Sequence, residues 1–241
     1  MKEVVDFADA KDSSGKRRRS WKTVKHRYRS LPDQNYISRF HQVGIEKELH
    51  STRTLSFQGE KKTLGRVSSK NATTHSYTIQ PTISLDGRVI GPMFLCLQET
   101  NGRMGDIVKR HLFEPKNVVI TCSSSGKLTN SLVRYWRDKV LVPSIGKKTL
   151  LLSDSWTGQN DNSIYQDLKS VGKAVHRIQI PPKTTSDIQP LDKYFNRQIK
   201  NLAKKLYNRV ALDQLDINLH ERNNIIKLVS LIHNQISAPI F

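Results

Sequence analysis

The sequence of 241 residues contains little cysteine, only Cys96 and Cys122. Both lie in apolar, strand-like stretches, and neither has a histidine or a second cysteine at metal-ligand spacing. A disulfide framework is therefore excluded, and a zinc site is not supported. We expect two reduced thiols in the core of an intracellular protein.

Long apolar segments are also missing. The longest one, residues 89–97, is too short and too interrupted to cross a bilayer. Residues 1–12 include Glu3, Asp6 and Asp9 and have no signal-peptide core. We therefore expect no membrane span and no secretion signal, and we find no pattern that indicates a small-molecule cofactor.

Acidic residues are scarce, with 21 Asp and Glu against 40 Lys and Arg, which gives a formal net charge of +19. Such a field attracts polyanions, of which nucleic acid is the commonest and an anionic membrane the rival. No basic amphipathic helix carries exposed Trp or Phe anchors, which favours nucleic acid. We expect DNA as the binding partner, and we expect copies of the chain to associate as a homo-oligomer.

The chain divides into three predicted regions. Residues 1–15 are polar and predicted to be disordered. Residues 16–40 are predicted to form a basic arm, in which Ser20 could cap a helix carrying Trp21, Val24 and Tyr28 on one face. Residues 41–241 are expected to form the folded domain.

Apolar patterns in that domain predict strands at 75–84, 89–98, 118–122, 150–152 and 175–180, with Asp86-Gly87 as a hairpin turn. Helices are predicted at 128–140, 163–171, 188–209 and 212–241. Strands that alternate with helices after an initial hairpin indicate a mixed α/β fold, with helices flanking the sheet.

Two carboxylates stand out in this basic chain. Asp154 follows the strand at 150–152, and Asp192 follows the loop after the strand at 175–180. Functional groups collect at the carboxyl ends of strands in α/β sheets, and Mg²⁺ needs only one or two carboxylates with waters and phosphates. The spacing also fits helix caps or turn residues, so it leaves both interpretations open.

Three ordered segments resemble the catalytic domain of DDE-superfamily transposases, in the pogo-like branch of the mariner group. They are 73–87 (TTHSYTIQPTISLDG), 150–156 (LLLSDSW) and 180–192 (IPPKTTSDIQPLD). The resemblance implies an RNase H-like fold and metal-dependent DNA strand cleavage and transfer with Mg²⁺ or Mn²⁺. It makes Asp154 the second catalytic acid and metal ligand, and Asp192 the third, with Asp187 a weaker candidate for that role.

The first acid of the family pattern is missing. Family members carry a pattern like NxDQSGF at the end of the opening strand, whereas this chain has RFHQVGI at 39–45, with His41 at the acidic position. Imidazole binds metals as a neutral ligand and suits Mg²⁺ poorly. Residues 35–40 are also a poor version of a buried central strand. We therefore expect cleavage to be lost or strongly reduced.

Two basic surfaces are predicted to contact DNA. The helix after Asp192 presents a stripe of four basic residues opposite its apolar positions, and the arm adds a second cluster that faintly resembles the start of a helix-turn-helix region. The arm also fits a nuclear import signal, so we expect a nuclear protein. The residues are Lys193, Arg197, Lys200 and Lys204 in the helix, and Arg17, Arg18, Arg19, Lys22, Lys25, Arg27 and Arg29 in the arm.

The sequence leaves two alternatives open. In one, another acid such as Glu46 or Glu48 replaces the missing one and the chain is an active nuclease. In the other, the chain is a degraded remnant that folds poorly, because losing a central strand costs more than typical marginal stability. A deletion or altered splice would explain why the arm adjoins the catalytic region directly.

Overall fold

The computed structural model describes residues 37–40, 42–46, 59, 76–84, 87–153, 156–159, 161–180 and 195–238. Its strands are β1 Ile37–Phe40, β2 Val43–Glu46, β3 Ser76–Gln80, β4 Thr82–Ser84, β5 Met93–Gln98, β6 Val118–Ser123, β7 Lys148–Ser153 and β8 Ala174–Gln179. Its helices are α1 Asp106–Arg110, α2 Asn130–Trp136, α3 Val142–Ser144, α4 Asn196–Leu212 and α5 Arg222–Ser237. A π-helical turn, Arg137–Leu141, joins α2 to α3, and two 3-10 helices span Thr157–Gln159 and Asn162–Val171.

The strands form a mixed sheet in two four-stranded parts, ordered β4-β1-β7-β8 and β2-β3-β5-β6. Parallel pairs are β1 with β7, β7 with β8, and β5 with β6. Antiparallel pairs are β1 with β4, β2 with β3, and β3 with β5. The predicted mixed α/β class, with helices flanking a mixed sheet, is confirmed.

The two parts of the sheet meet at Pro81. Phe40 pairs with Thr82 in one part, and Val43 pairs with Ile79 in the other. The three-residue separation from 40 to 43 is therefore matched by an equal separation in the reverse direction, from 82 to 79. β1 and β2 thus continue one register opposite β4 and β3. Proline has no N–H to donate and a fixed φ, which interrupts the ladder at this point.

The first predicted hairpin needs two corrections. The strand predicted at 75–84 is split by Pro81, and the one predicted at 89–98 begins only at Met93. Val89 instead forms an isolated bridge with Ile83. The turn between them is present at Gly87, whose φ of +88° suits glycine and whose N–H donates to the Ser84 carbonyl at 3.0 Å.

Helices cover both faces of the sheet because strand residues alternate in direction. On β5, Met93, Leu95 and Leu97 belong to a core shared with α4 and α5. Phe94 and Cys96, the residues between them, belong to a second core shared with α2 and the 3-10 helix Asn162–Val171. We call these the α4 face and the α2 face.

The helix predicted at 128–140 is held in place by a buried arginine. Arg137 lies in the π turn and forms ion pairs of 2.7 Å with both Asp138 and Asp167. Its guanidinium also donates to the carbonyl of Ile164. Burial lowers the pKa of Arg137, but its hydrogen bonds and charge interactions with the two aspartates outweigh that effect and raise it. This network ties α2 to the 3-10 helix, which the sequence predicted as an ordinary helix at 163–171.

The opening strand is better formed than its composition suggested. Ile37–Phe40 pairs with β4 on one side and with β7 on the other, so it is an interior strand. The sheet therefore begins four residues before the expected domain boundary at 41. The arm residues 16–29 and the region 1–15 lie outside the described residues.

The last described range, 195–238, contains two helices, as predicted, but their bounds differ from the prediction. α4 extends to Leu212, and the predicted residues 188–194 lie outside the described part. The helix predicted from 212 onward starts only at Arg222. Gln214, with a φ of 50°, ends α4, and the N–H of Leu215 donates to the Val210 carbonyl at 3.0 Å. This left-handed residue closes the helix, so 213–221 forms a connector.

Both cysteines are free, as predicted. Cys96 is buried on the α2 face, whereas Cys122 pairs with Leu97, which lies on the α4 face. The two thiols therefore point to opposite sides of the sheet. Within the described ranges, no helix has the length and apolar character to span a membrane.

Burial of Leu151 should make a large contribution to stability. Leu151 is fully buried in β7, so Leu151→Ala should lower the free energy of unfolding by about 2–5 kcal/mol. Leu231, which is 52% exposed on α5, provides the control, since Leu231→Ala should cost no more than about 0.5 kcal/mol. Urea unfolding followed by circular dichroism measures both values. Unfolding without a cooperative transition in the unsubstituted protein would favour the poorly folded alternative.

The two thiols should differ in reactivity. Burial raises the pKa of Cys96 from 9.0 to about 11, against a smaller lowering by the hydrogen bond between the Cys96 thiol and the Ser123 hydroxyl. At pH 8 this reduces its thiolate fraction about a hundredfold, so Cys96 should react with a disulfide reagent far more slowly than an exposed thiol. Comparing the reaction kinetics of Cys96→Ser and Cys122→Ser assigns each kinetic phase to one of the two thiols. A fast phase that survives in Cys122→Ser would contradict the burial of Cys96.

Candidate functional site

Three parallel strands end together at one edge of the sheet. Arg39 of β1 is level with Leu152 of β7, and Ser153 of β7 is level with Gln179 of β8. The N–H of Ile180 donates to the Ser153 carbonyl at 2.8 Å, which extends the pairing past the end of β8. This carboxyl edge is where α/β sheets collect functional groups.

Two predicted catalytic positions directly follow strands that end at this edge. His41 directly follows β1, and Asp154 directly follows β7. Both of them, together with Asp187, Asp192 and Lys193, lie outside the described residues, as do the seven arm residues predicted to contact DNA. In the described part of the chain, no three His, Cys, Asp or Glu residues form a group that could hold a metal ion.

A stripe of buried polar residues near the edge was missed by the sequence analysis. Gln80, Thr82 and Ser153 are each at most 1% exposed. Within the described part of the chain, the amide of Gln80 and the hydroxyls of Thr82 and Ser153 have no hydrogen-bond partner. Polar residues alternate with apolar ones along β3 and β4, and the polar set that shares the α2 face is Thr78, Gln80, Thr82 and Ser84. This alternation did not reveal their burial, because a strand with one face toward water would show the same pattern.

The segment after Asp154 is packed tightly against β8. Gln159 is buried, and its carbonyl accepts a hydrogen bond from the guanidinium of Arg177. A Cβ on Gly158 would lie 2.3 Å from the ring of Trp156, so only glycine fits there. Tyr165, in the following 3-10 helix, has its pKa raised to about 12 by burial. These contacts fix the described part of the loop that begins at the candidate acid.

Helix α4 presents the predicted basic stripe. Arg197 and Lys200 are exposed and Lys204 is half-buried, while Ile199 and Ala203 are fully buried in the core. The helix contains no Asp or Glu. Among the described residues, none of the three stripe residues forms an ion pair. The only described ion pair of α4 joins Arg209 to Asp213 at its far end. The predicted arrangement of basic and apolar faces is confirmed.

Glu46 is badly placed to replace the missing acid. It is the last residue of β2 and pairs with Ser76, not with any residue of β7. Position 46 is five residues beyond position 41, which corresponds to about 16 Å along an extended strand. Glu48 lies outside the described residues.

Comparison with known proteins identifies the family. The sequence profile of the DDE superfamily endonuclease family matches residues 100–238, which is more than half of the chain. No curated protein sequence is significantly similar to this chain.

The solved structures that are similar to the chain include three Mos1 transposase complexes. These three are a Mos1 transposase paired-end complex with the left transposon end (8% identity, TM-score 0.43), a Mos1 strand transfer complex (10%, 0.42) and a Mos1 mariner paired-end complex with Mn (9%, 0.45). The matches cover 89%, 90% and 89% of this chain and 57%, 58% and 57% of the transposase chains. The chain thus spans a little over half the length of those proteins. By its match over residues 100–238, the chain belongs to the DDE superfamily endonuclease family.

Proposed function

We propose that this chain is a transposase-derived DNA-binding protein with an RNase H-like, DDE endonuclease-type domain. In this proposal, strand cleavage and transfer are lost or strongly reduced because His41 replaces the first acid. The observation that carries it is the parallel register of β1 and β7, the two strands that end next to positions 41 and 154.

The register supports a pairing of these two positions. Ile37 lies level with Leu150 and Arg39 with Leu152, so each residue of β1 matches the residue 113 positions later. The same offset of 113 separates positions 41 and 154 in the sequence, one residue beyond each strand. We propose that His41 and Asp154 are neighbours at the carboxyl edge of the sheet.

The alternation of side chains supports a common face for both positions. Leu151 packs in the core of the α2 face, so position 152 falls on the α4 face. Ile45 packs in the α4-face core, and Arg39 is level with Ile83 of that core, so position 39 falls on the same face. In this proposal Asp154 and His41, each two residues further along, share that face. Asp192 precedes α4 itself by four residues, which supports its assignment to the same site, with Asp187 as the weaker candidate.

The donor set suits a hard divalent cation only in part. Asp154 and Asp192 would hold Mg²⁺ or Mn²⁺, since two carboxylates with waters and phosphates are sufficient. The bound ion would activate a water and stabilise the leaving oxygen of a phosphodiester. His41 adds a neutral nitrogen where the family pattern has an anion, which weakens the attraction for the cation.

DNA contact in this proposal rests on the basic stripe of α4. Its charges are exposed, unopposed by acids on the helix, and begin next to Asp192 in the sequence. Lysine and arginine side chains bind phosphates independently of base sequence. The arm 16–29 would add further phosphate contacts and would direct the protein to the nucleus. Family membership keeps an active endonuclease as the second candidate function.

Restoring the missing acid should restore activity. We expect His41→Asp to nick supercoiled plasmid with Mn²⁺, while the unsubstituted protein nicks weakly or not at all. Asp154→Ala added to His41→Asp should abolish nicking, because it removes a metal ligand. Strong nicking by the unsubstituted protein, sensitive to Asp154→Ala, would establish the active endonuclease. Inactivity of a folded His41→Asp protein would contradict the proposed pairing of positions 41 and 154.

Reversing two charges on α4 should reduce the salt dependence of DNA binding. Lys200→Glu with Lys204→Glu removes two phosphate contacts, so the slope of log K against log [salt] should become shallower by about 2. The matched control is Lys139→Glu with Lys147→Glu, which makes the same charge change at exposed positions outside α4. Fluorescence anisotropy with duplex DNA measures both slopes. Equal slopes in the two variants would remove α4 from the interface.

A further inference from the structure

The connector between α4 and α5 carries an unusual concentration of exposed apolar surface. Leu212 is 74% exposed, Leu215 47% and Ile217 45%. Eight large hydrophobic residues are exposed among those described, and three of the eight lie within residues 212–217. Contiguous exposed apolar residues mark interaction sites more often than isolated ones do.

The connector has a defined shape, which keeps these side chains in place. The N–H of Asp213 donates to the Arg209 carbonyl at 3.0 Å, and that of Ile217 to the Leu215 carbonyl at 2.8 Å. At the other end, the side chain of Asn224 donates to the Asn218 carbonyl at 2.9 Å. The exposed apolar residues are therefore presented by hydrogen-bonded backbone.

The connector is also locally acidic in a strongly basic protein. Residues 212–221 contain Asp213, Asp216 and Glu221 and no Lys or Arg, although the chain as a whole carries +19. Asp213 pairs with Arg209 at 2.5 Å. Asp216 and Glu221 have no ion-pair partner among the described residues. We call residues 212–221 the acidic–apolar surface.

We propose that the acidic–apolar surface binds the basic arm, residues 16–29, of a second copy of this chain. The arm carries eight Lys and Arg and no acid, which complements the connector in charge. Its predicted helix places Trp21, Val24 and Tyr28 on one face, which complements the exposed leucines and isoleucine. Electrostatic complementarity of this kind selects the partner and its orientation.

The reach of the chain favours a second copy over the arm's own chain. Ile37 and Ile45 are eight residues apart along β1 and β2, about 26 Å at the rise of a strand. Tyr77 pairs with Ile45, and Tyr207 is close enough to raise the pKa of Tyr77, after the larger effect of burial. The connector begins six residues beyond Tyr207. The nine residues from Tyr28 to Ile37 span at most about 31 Å when fully extended, which is little more than the length of β1 and β2 alone.

A cysteine cross-linking experiment tests this contact, with chains carrying Val24→Cys mixed with chains carrying Leu215→Cys. A disulfide-linked dimer on a non-reducing gel, after nuclease treatment to exclude bridging by nucleic acid, supports the proposal. The matched control replaces Leu215→Cys by Leu231→Cys, an equally exposed site on α5. Each variant alone measures background cross-linking through Cys122. Equal yield from the Leu231→Cys control, or no dimer above background, would overturn the proposal.

A second pair of variants separates specific docking from random collision. Asp216→Lys in the Leu215→Cys chain should lower the dimer yield about two- to fivefold, since exposed ion pairs are individually weak. Leu212→Ser with Ile217→Ser should lower it about tenfold, because two apolar contacts are lost. Asp106→Lys, a charge reversal at an exposed acid of α1, should leave the yield unchanged. An unchanged yield in both connector variants would contradict the docking, and none of these outcomes depends on the metal site.

Discussion

The parallel pairing of β1 with β7 is the interaction on which the rest of this structure depends. β1 has only four residues, yet it pairs with β4 on one side and β7 on the other. In the part of the chain that the structure describes, β1 links β7 and β8 to β4, which belongs to the first predicted hairpin. Its loss would detach the strand that leads into Asp154, which is why the opening segment matters both for the sheet and for the candidate site.

The charges of the protein are distributed in two different ways. Arg137 is buried and holds two aspartates, where its role is to join the π turn to the 3-10 helix. The stripe on α4 is exposed and lacks acidic partners on its own helix. A buried guanidinium that lost its partners would be strongly destabilising, whereas exposed lysines contribute little to stability and are free to attract a polyanion. The excess charge is therefore best explained by binding and not by folding.

Within the proposed function, binding and catalysis have separate requirements. Contact with phosphates needs only exposed cations, and α4 retains them. Cleavage needs enough anionic ligands to hold a divalent cation, and His41 removes one. The geometry of Glu46, which pairs away from β7, argues against a simple replacement by that residue. In the proposed function, the protein therefore keeps its affinity for DNA while strand cleavage is lost or strongly reduced.

Much of the fold was predictable from local pattern. The apolar runs at β5, β6 and β7 and the amphipathic spacing of α4 identified those elements within a few residues, because burial of one face imposes a period on the sequence. The split at Pro81 was also accessible, since proline cannot donate to a ladder. The buried stripe of Gln80 and Thr82 was not, because alternation shows that two faces differ but not which of them meets water. The 3-10 geometry of Asn162–Val171 was not predicted either, and the arginine that pairs with its Asp167 lies in a different element, the π turn.

Residue type and local spacing were enough to indicate the mixed α/β class, the family resemblance, the candidate acids and the histidine at position 41. The position of β1 beside β7, with Arg39 level with Leu152, is a property of the folded chain. So is the exposure of Leu215 and Ile217 in the 213–221 connector. Strand order and register follow from contacts between segments more than a hundred residues apart, and no local pattern specifies which of several apolar strands will be neighbours.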